Sequence, residues 1–346
     1  MAGIPEILFE RHGTAGRVTL NRPQALNAVT HQMVRALRAQ LDAWRDDPAV
    51  TRVVVTAAGG RAFSAGGDLR DIYELGRAGR FEDALTFWRD EYALNAAIKH
   101  YPKPYVALID GIVMGGGVGV SIHGSHRVAG DRYQFAMPEV GIGFFPDVGA
   151  TWFLPRLPGA LGTYCALTAE RIRAPDAVAA NVATHRVRSD RLGDLQDALT
   201  GAVSVDAVLG AFAEASEVGP IDAVRDTIDR HFAADSVEDI LAGLESDRAP
   251  PAQAMAVAIR SKAPRSLKIA LAQMRRGRGW SFDDCMRAEF RIVSRVVRGE
   301  DFYEGVRAVI VDKDNTPRWN PAALSEVTLA EIERHFAPLD RELNLS

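Results

Sequence analysis

The sequence predicts an α/β fold whose second half is mainly helical. Up to about residue 185, short β-branched and apolar runs alternate with stretches of helical spacing. Two Gly-rich loops each follow such a run and open a helix. Beyond residue 185 the helical period continues almost without a break.

In chain order, residues 5–20 alternate apolar and polar around a Gly turn and read as two strands, ended by Asn21-Arg22-Pro23. Residues 30–45 set Met33, Val34, Leu37, Leu41 and Trp44 on one face behind Thr30, so a capped helix is expected. Val50 to Thr56 is a buried-strand run, and the first Gly-rich loop, 59–68, follows it. Residues 81–99 read as a helix, and Pro102-Lys103-Pro104 leads into the strand Tyr105–Ile109. The second Gly-rich loop lies at 115–119, and 126–135 reads as a strand pair. Helices are expected over 190–201, 205–215, 219–231, 236–245, 250–262, 265–274 and 281–297, with Ser281 as a cap, and a last one over 327–336. A division near residue 200 is expected, with residues 1–200 carrying the active site and 201–346 mainly helical.

Composition narrows the function classes. The 346 residues are 47% hydrophobic and 25% charged, the balance of an ordinary globular protein. A formal charge of −4 leaves no basic footprint for nucleic acid. No apolar run reaches membrane-spanning length, and the N-terminus reads as neither a signal nor a transit peptide, so a cytoplasmic location is expected. Cys165 and Cys285 have no metal or redox spacing and read as reduced thiols. The eight histidines form no ligand motif, so no metal is expected.

The chemistry concentrates in Met137–Gly149. Two carboxylates, Glu139 and Asp147, sit there among apolar, Gly and Pro residues, with no Lys or Arg between Arg132 and Arg156. Pro146 reads as a helix start, which would place Asp147 at the positive end of a helix dipole and favour its ionised form. Glu139 follows Pro138 at the end of an extended run. Acids in different environments can divide base and acid work; a helix cap plus a turn carboxylate is the plainer alternative. The loops Phe63–Asp68 and Gly111–Gly119 offer backbone N–H groups to a developing oxyanion. Neither matches G-x-G-x-x-G, and the second lacks the Lys-Ser/Thr of a P-loop. Two such loops and an acid pair describe acyl or enolate chemistry.

These elements, with the entry motif Leu20-Asn21-Arg22-Pro23-Gln24-Ala25-Leu26-Asn27-Ala28, resemble the crotonase (enoyl-CoA hydratase/isomerase) superfamily. The resemblance implies a spiral of ββα turns, a CoA-thioester substrate and no separate cofactor. It places the two oxyanion donors on Gly67 and Gly116, the adenine-binding carbonyl on Ala65 and the main catalytic acid on Glu139. Hydratases of the superfamily carry a second acid where this chain has Gly119. The motifs Phe87-Trp88-Arg89-Asp90-Glu91-Tyr92, Gly143-Phe144-Phe145-Pro146-Asp147-Val148-Gly149, Arg298 to Ala308, Asp312-Lys313-Asp314 and Pro317-Arg318-Trp319 look instead like the 3-hydroxyisobutyryl-CoA hydrolase branch. That likeness implies thioester hydrolysis in valine breakdown, with Asp147 catalytic and Glu91, Asp68 and Lys313 joining Ala65 in substrate binding. A solvated helix acid is the alternative for Glu91, and a surface lysine for Lys313. Relatives in the superfamily often form trimers, which is compatible with a homo-oligomer. Two rivals are a hydratase or isomerase on the same fold and a silent acyl-CoA-binding protein.

Overall fold

Among the described residues, ten strands form two sheets. They are β1 (Ile7–His12), β2 (Ala15–Leu20), β3 (Arg52–Ala57), β4 (Ala62–Ser64), β5 (Tyr105–Ile109), β6 (Ile112–Met114), β7 (His126–Ala129), β8 (Gln134–Ala136), β9 (Ile172–Arg173) and β10 (His185–Arg186). The large sheet runs β1-β2-β3-β5-β7-β10 and the small one β4-β6-β8-β9. The β3, β5 and β7 strands are parallel neighbours in the large sheet, and β4 and β6 are parallel in the small one. Each repeat therefore places one strand in each sheet and then a helical segment before the next begins, since parallel strands need a crossover. This is the ββα spiral that the resemblance implies. The strands expected over 126–135 form, but β7 and β8 belong to different sheets, so they are not a pair.

The computed structural model describes residues 4–215 and 217–345. Its contacts gather into two units, each discontinuous in sequence. The sheet unit comprises Met1–Gly67, Ala93–Phe135 and Ile172–Pro220; the helical unit comprises Asp68–Tyr92, Ala136–Arg171 and Ile221–Ser346. In the sheet unit, Val54, Val106, Leu108 and Val128 pack against Leu195, Leu199, Val205, Val208 and Leu209. Burying each such side chain contributes about 1.5–3 kcal/mol. The segment after residue 205 thus starts by covering one face of the large sheet.

The helices follow the period closely. Thr30 caps His31–Asp46 through the Met33 amide (3.2 Å), and Ser281 caps Phe282–Val296 through the Asp284 amide (3.1 Å). Ser281→Ala is expected to cost about 1 kcal/mol in urea unfolding; an unchanged midpoint would deny the cap its role. The helix Leu161–Thr168 escapes the sequence reading because all eight residues are buried, which erases an amphipathic stripe. No helix is long and apolar enough to cross a membrane among the described residues.

Candidate active site

In the helical unit, the segment 139–151 is held at several points. Glu139 opens a 3-10 turn, Glu139–Ile142, which closes at Gly143 with φ +68°. A Cβ on Gly143 would lie 2.1 Å from the Asp301 carbonyl oxygen, and one on Gly305 would lie 2.2 Å from the Ile142 carbonyl carbon. The two stretches therefore touch backbone to backbone, an approach only glycine permits. Phe144 stacks on Trp88 (5.5 Å between centroids) and meets Phe302 at 5.3 Å. The Ala263 amide donates to the Val140 carbonyl (3.1 Å), and Gln273 Nε2 donates to the Pro146 carbonyl (2.8 Å) and Thr151 Oγ1 (2.7 Å).

This frame gathers four carboxylates. Glu91 is 2% exposed, Glu139 and Asp147 are 5% and Glu289 is 0%. The Tyr92 hydroxyl donates to Asp147 Oδ2 (2.9 Å). Glu289 accepts the Gly149 amide at 2.7 Å on one oxygen and the Thr151 amide at 2.8 Å on the other. Glu91 Oε1 and Glu139 Oε2 have no hydrogen-bond partner. Among the described residues, no Lys or Arg pairs with any of the four.

Four buried carboxylates without a cation cannot all be ionised. Burial, then the charges of Asp147 and Glu289, push Glu91 well above the usual carboxylate range. Burial, followed by Asp147, does the same to Glu139. Burial raises Asp147 to about 7, against the pull of the Tyr92 hydroxyl. Burial and Asp147 raise Glu289 to about 8, although its two amide donors favour the anion. The expectation of an Asp147 favoured as an anion by a helix dipole is overturned. The helix begins only at Ala150 and runs four residues, and burial outweighs the hydrogen bonds that favour the Asp147 anion. The cluster therefore shares protons near neutral pH and titrates as a set.

In the sheet unit, the two Gly-rich loops lie side by side because their strands do. Ala62 pairs with Ile112 and Ser64 with Val113. A Cβ on Gly117 would meet the Ser64 side chain at 2.6 Å and its carbonyl oxygen at 2.7 Å. Gly66 adopts φ +119° beside the Met114 carbonyl. Gly67 forms a bridge with Val29, and the Ala65 amide donates to the Leu26 carbonyl (3.0 Å). Gly116 is the first residue of the helical turn Gly116–Gly119, where first-turn amides lack an intrahelical acceptor. Asn27 of the entry motif donates to the carbonyls of Ala58 and Ala62 (2.9 Å each) and so fixes the β3–β4 connection.

The enoyl-CoA hydratase/isomerase family model matches residues 15–336. The chain belongs to the enoyl-CoA hydratase/isomerase family. Among its relatives, the mitochondrial 3-hydroxyisobutyryl-CoA hydrolase of Rattus norvegicus is 44% identical over 96% of this chain and 89% of that protein. The enzyme of the same name from Homo sapiens is 42% identical over the same shares. A crystal structure of a carnitinyl-CoA dehydratase from Mycobacterium thermoresistibile is 43% identical, with TM-score 0.94 and 98% of each chain covered. That of an enoyl-CoA hydratase from Rhodobacter sphaeroides is 38% identical, with TM-score 0.93, covering 98% of this chain and all of the other.

Asp68 occupies the cap position of the Leu69–Arg77 helix without a side-chain capping bond. Lys313 is exposed at φ +60°, while its neighbours Asp312 and Asp314 each pair with Arg307 at 2.7 Å. The acidic residues of that motif thus tie the tail to Arg307. Sequence reasoning missed Tyr92 and Glu289 as members of the acid cluster. A signal for Glu289 existed: it falls on the stripe Phe282, Cys285, Met286, Phe290, Val293, where an acid is out of place. Among the described residues, no group of three or more His, Cys, Asp or Glu could hold a metal ion.

Proposed function

We propose that this chain hydrolyses a short-chain acyl-CoA thioester, 3-hydroxyisobutyryl-CoA first of all, to 3-hydroxyisobutyrate and CoA in valine breakdown. The observation that carries the reading is the buried carboxylate cluster in a chain over 40% identical to relatives of that name. The Gly67 and Gly116 amides receive the thioester oxygen and stabilise the tetrahedral oxyanion; one such donor can be worth about 10²–10³ in rate. Glu139 attacks the carbonyl or activates water, and Asp147 orients that water or the substrate hydroxyl. The C–S bond then breaks and the departing thiolate takes a proton, which a proton-sharing cluster can supply. Where Glu139 has attacked, water then hydrolyses the resulting anhydride to release the acid and regenerate the carboxylate. Glu91 bonds the substrate hydroxyl or its neighbours, Asp68 joins it in substrate binding, Ala65 offers its carbonyl to the adenine and Lys313 meets a phosphate. Coenzyme A is part of the substrate, and the reaction needs no separate cofactor. Two buried free cysteines fit a reducing compartment, and the cytoplasm is proposed. A homo-oligomer is compatible with this reading.

The names of the two solved structures favour a second reading, hydration or dehydration on the same fold. Gly119, buried and without a side chain to donate a proton, supports hydrolysis over it. A side-by-side assay separates them. Thiol release from 3-hydroxyisobutyryl-CoA is expected, with no loss of the conjugated absorbance of crotonyl-CoA. Hydration without thiol release would replace the first reading with the second.

A further inference from the structure

The carboxylate of Glu289 is buried, bonded and outside the proposed catalytic set. It reaches from the Phe282–Val296 helix to the amides of Gly149 and Thr151, one on each oxygen, at 2.7 and 2.8 Å. Between Asp147 and those amides lie Val148 at φ +50° and Gly149 at φ +90°. A β-branched residue in the left-handed region is strained, and such strain persists only where its surroundings impose it. Glu289 supplies two of the bonds that do so. The next residue, Phe290, packs edge-on against Tyr92 (6.5 Å, 83°), whose hydroxyl holds Asp147 from the other side. One helix thus braces Asp147 from two directions.

The carboxyl of Glu289 faces other acids. Asp147 and Glu139 stand on the clamped segment, Glu91 and Tyr92 on the Phe81–Lys99 helix, and Cys285 one turn back on its own helix. Of the cations on these elements, Arg156 acts on Cys285 and bonds to the carbonyls of Trp152, Gly277, Arg278 and Trp280, and Arg89 lies over the Phe290 ring at 5.2 Å.

We infer that Glu289 is a positioning residue for Asp147: its two oxygens fix the turn that carries Asp147. This rests on the proposed role of Asp147, and two variants test it. Glu289→Gln keeps the length but offers one acceptor oxygen for two amides. Its kcat is expected to fall about tenfold, with KM little changed. Glu289→Asp keeps the carboxylate but cannot span both amides. Its kcat is expected to fall about a hundredfold, again with KM little changed. Urea unfolding at pH 5 and pH 8 gives a readout independent of substrate: the stability lost between them should shrink in Glu289→Gln, which no longer titrates, and persist in Glu289→Asp. Wild-type kcat in both variants, or losses of kcat that only follow losses of stability, would overturn the inference, leaving a purely structural residue. Should the wild-type enzyme hydrate crotonyl-CoA instead, kcat is followed on that reaction and the unfolding comparison stands as it is.

Discussion

Glu139→Gln is expected to lower thiol release by about 10²–10⁴-fold while making the folded protein more stable at pH 8. The two effects have one origin. Glu139 is 5% exposed, its Oε2 has no partner, and burial, then Asp147, raise its pKa. A carboxyl whose folded pKa exceeds its unfolded one stabilises the protein below the unfolded value and loses that contribution as pH rises through the folded value. For Asp147 the window runs from 3.8 to about 7, and for Glu289 from 4.5 to about 8. Wild-type stability should therefore decline between pH 5 and pH 8, by an amount on the order of a few kcal/mol. Glu139→Gln, neutral at every pH, should decline less. Chemical unfolding across that range checks the second half, and single-turnover thiol release checks the first. A variant that hydrolyses at the wild-type rate would remove Glu139 from the mechanism.

Gly305→Ala is expected to destabilise the helical unit by about 3 kcal/mol. The added methyl would sit 2.2 Å from the Ile142 carbonyl carbon and 2.3 Å from its oxygen, and backbone cannot step aside as a side chain can. Relief requires the 301–305 stretch to lift away from the 3-10 turn that starts at Glu139. Activity should fall together with stability, because the displaced turn carries that acid. A variant with the wild-type unfolding midpoint would mean that the two backbones do not meet in solution as closely as described.

Local chemistry was legible in the sequence; long-range chemistry was not. Thr30 and Ser281 announced their helices because a cap and its amide lie three residues apart. The two Gly-rich loops were recognised, and their strands bring them together in the order expected. Glu139 and Asp147 were picked out as a pair and Glu91 through the family resemblance, and all three share one buried cluster. The helix at Pro146 failed because Val148 and Gly149 take left-handed conformations that postpone it to Ala150. The contact of Gly143 with Asp301 and of Gly305 with Ile142 left no local trace, since each glycine is defined by a partner about 160 residues away. Tyr92 and Glu289 were missed for a related reason. Each lies on an apolar helical stripe, and its meaning comes from Asp147, 55 residues from one and 142 from the other.

The clamps on the acid segment also set a timetable for biosynthesis. Residues 139–151 leave the ribosome well before Ala263, Gln273, Glu289 and Gly305, which hold them. Until those arrive, the carboxylates have little reason to leave water, and Val148 has nothing to hold it in a strained conformation. A chain truncated at residue 260 would contain both acids proposed for catalysis and is expected to release no thiol from 3-hydroxyisobutyryl-CoA.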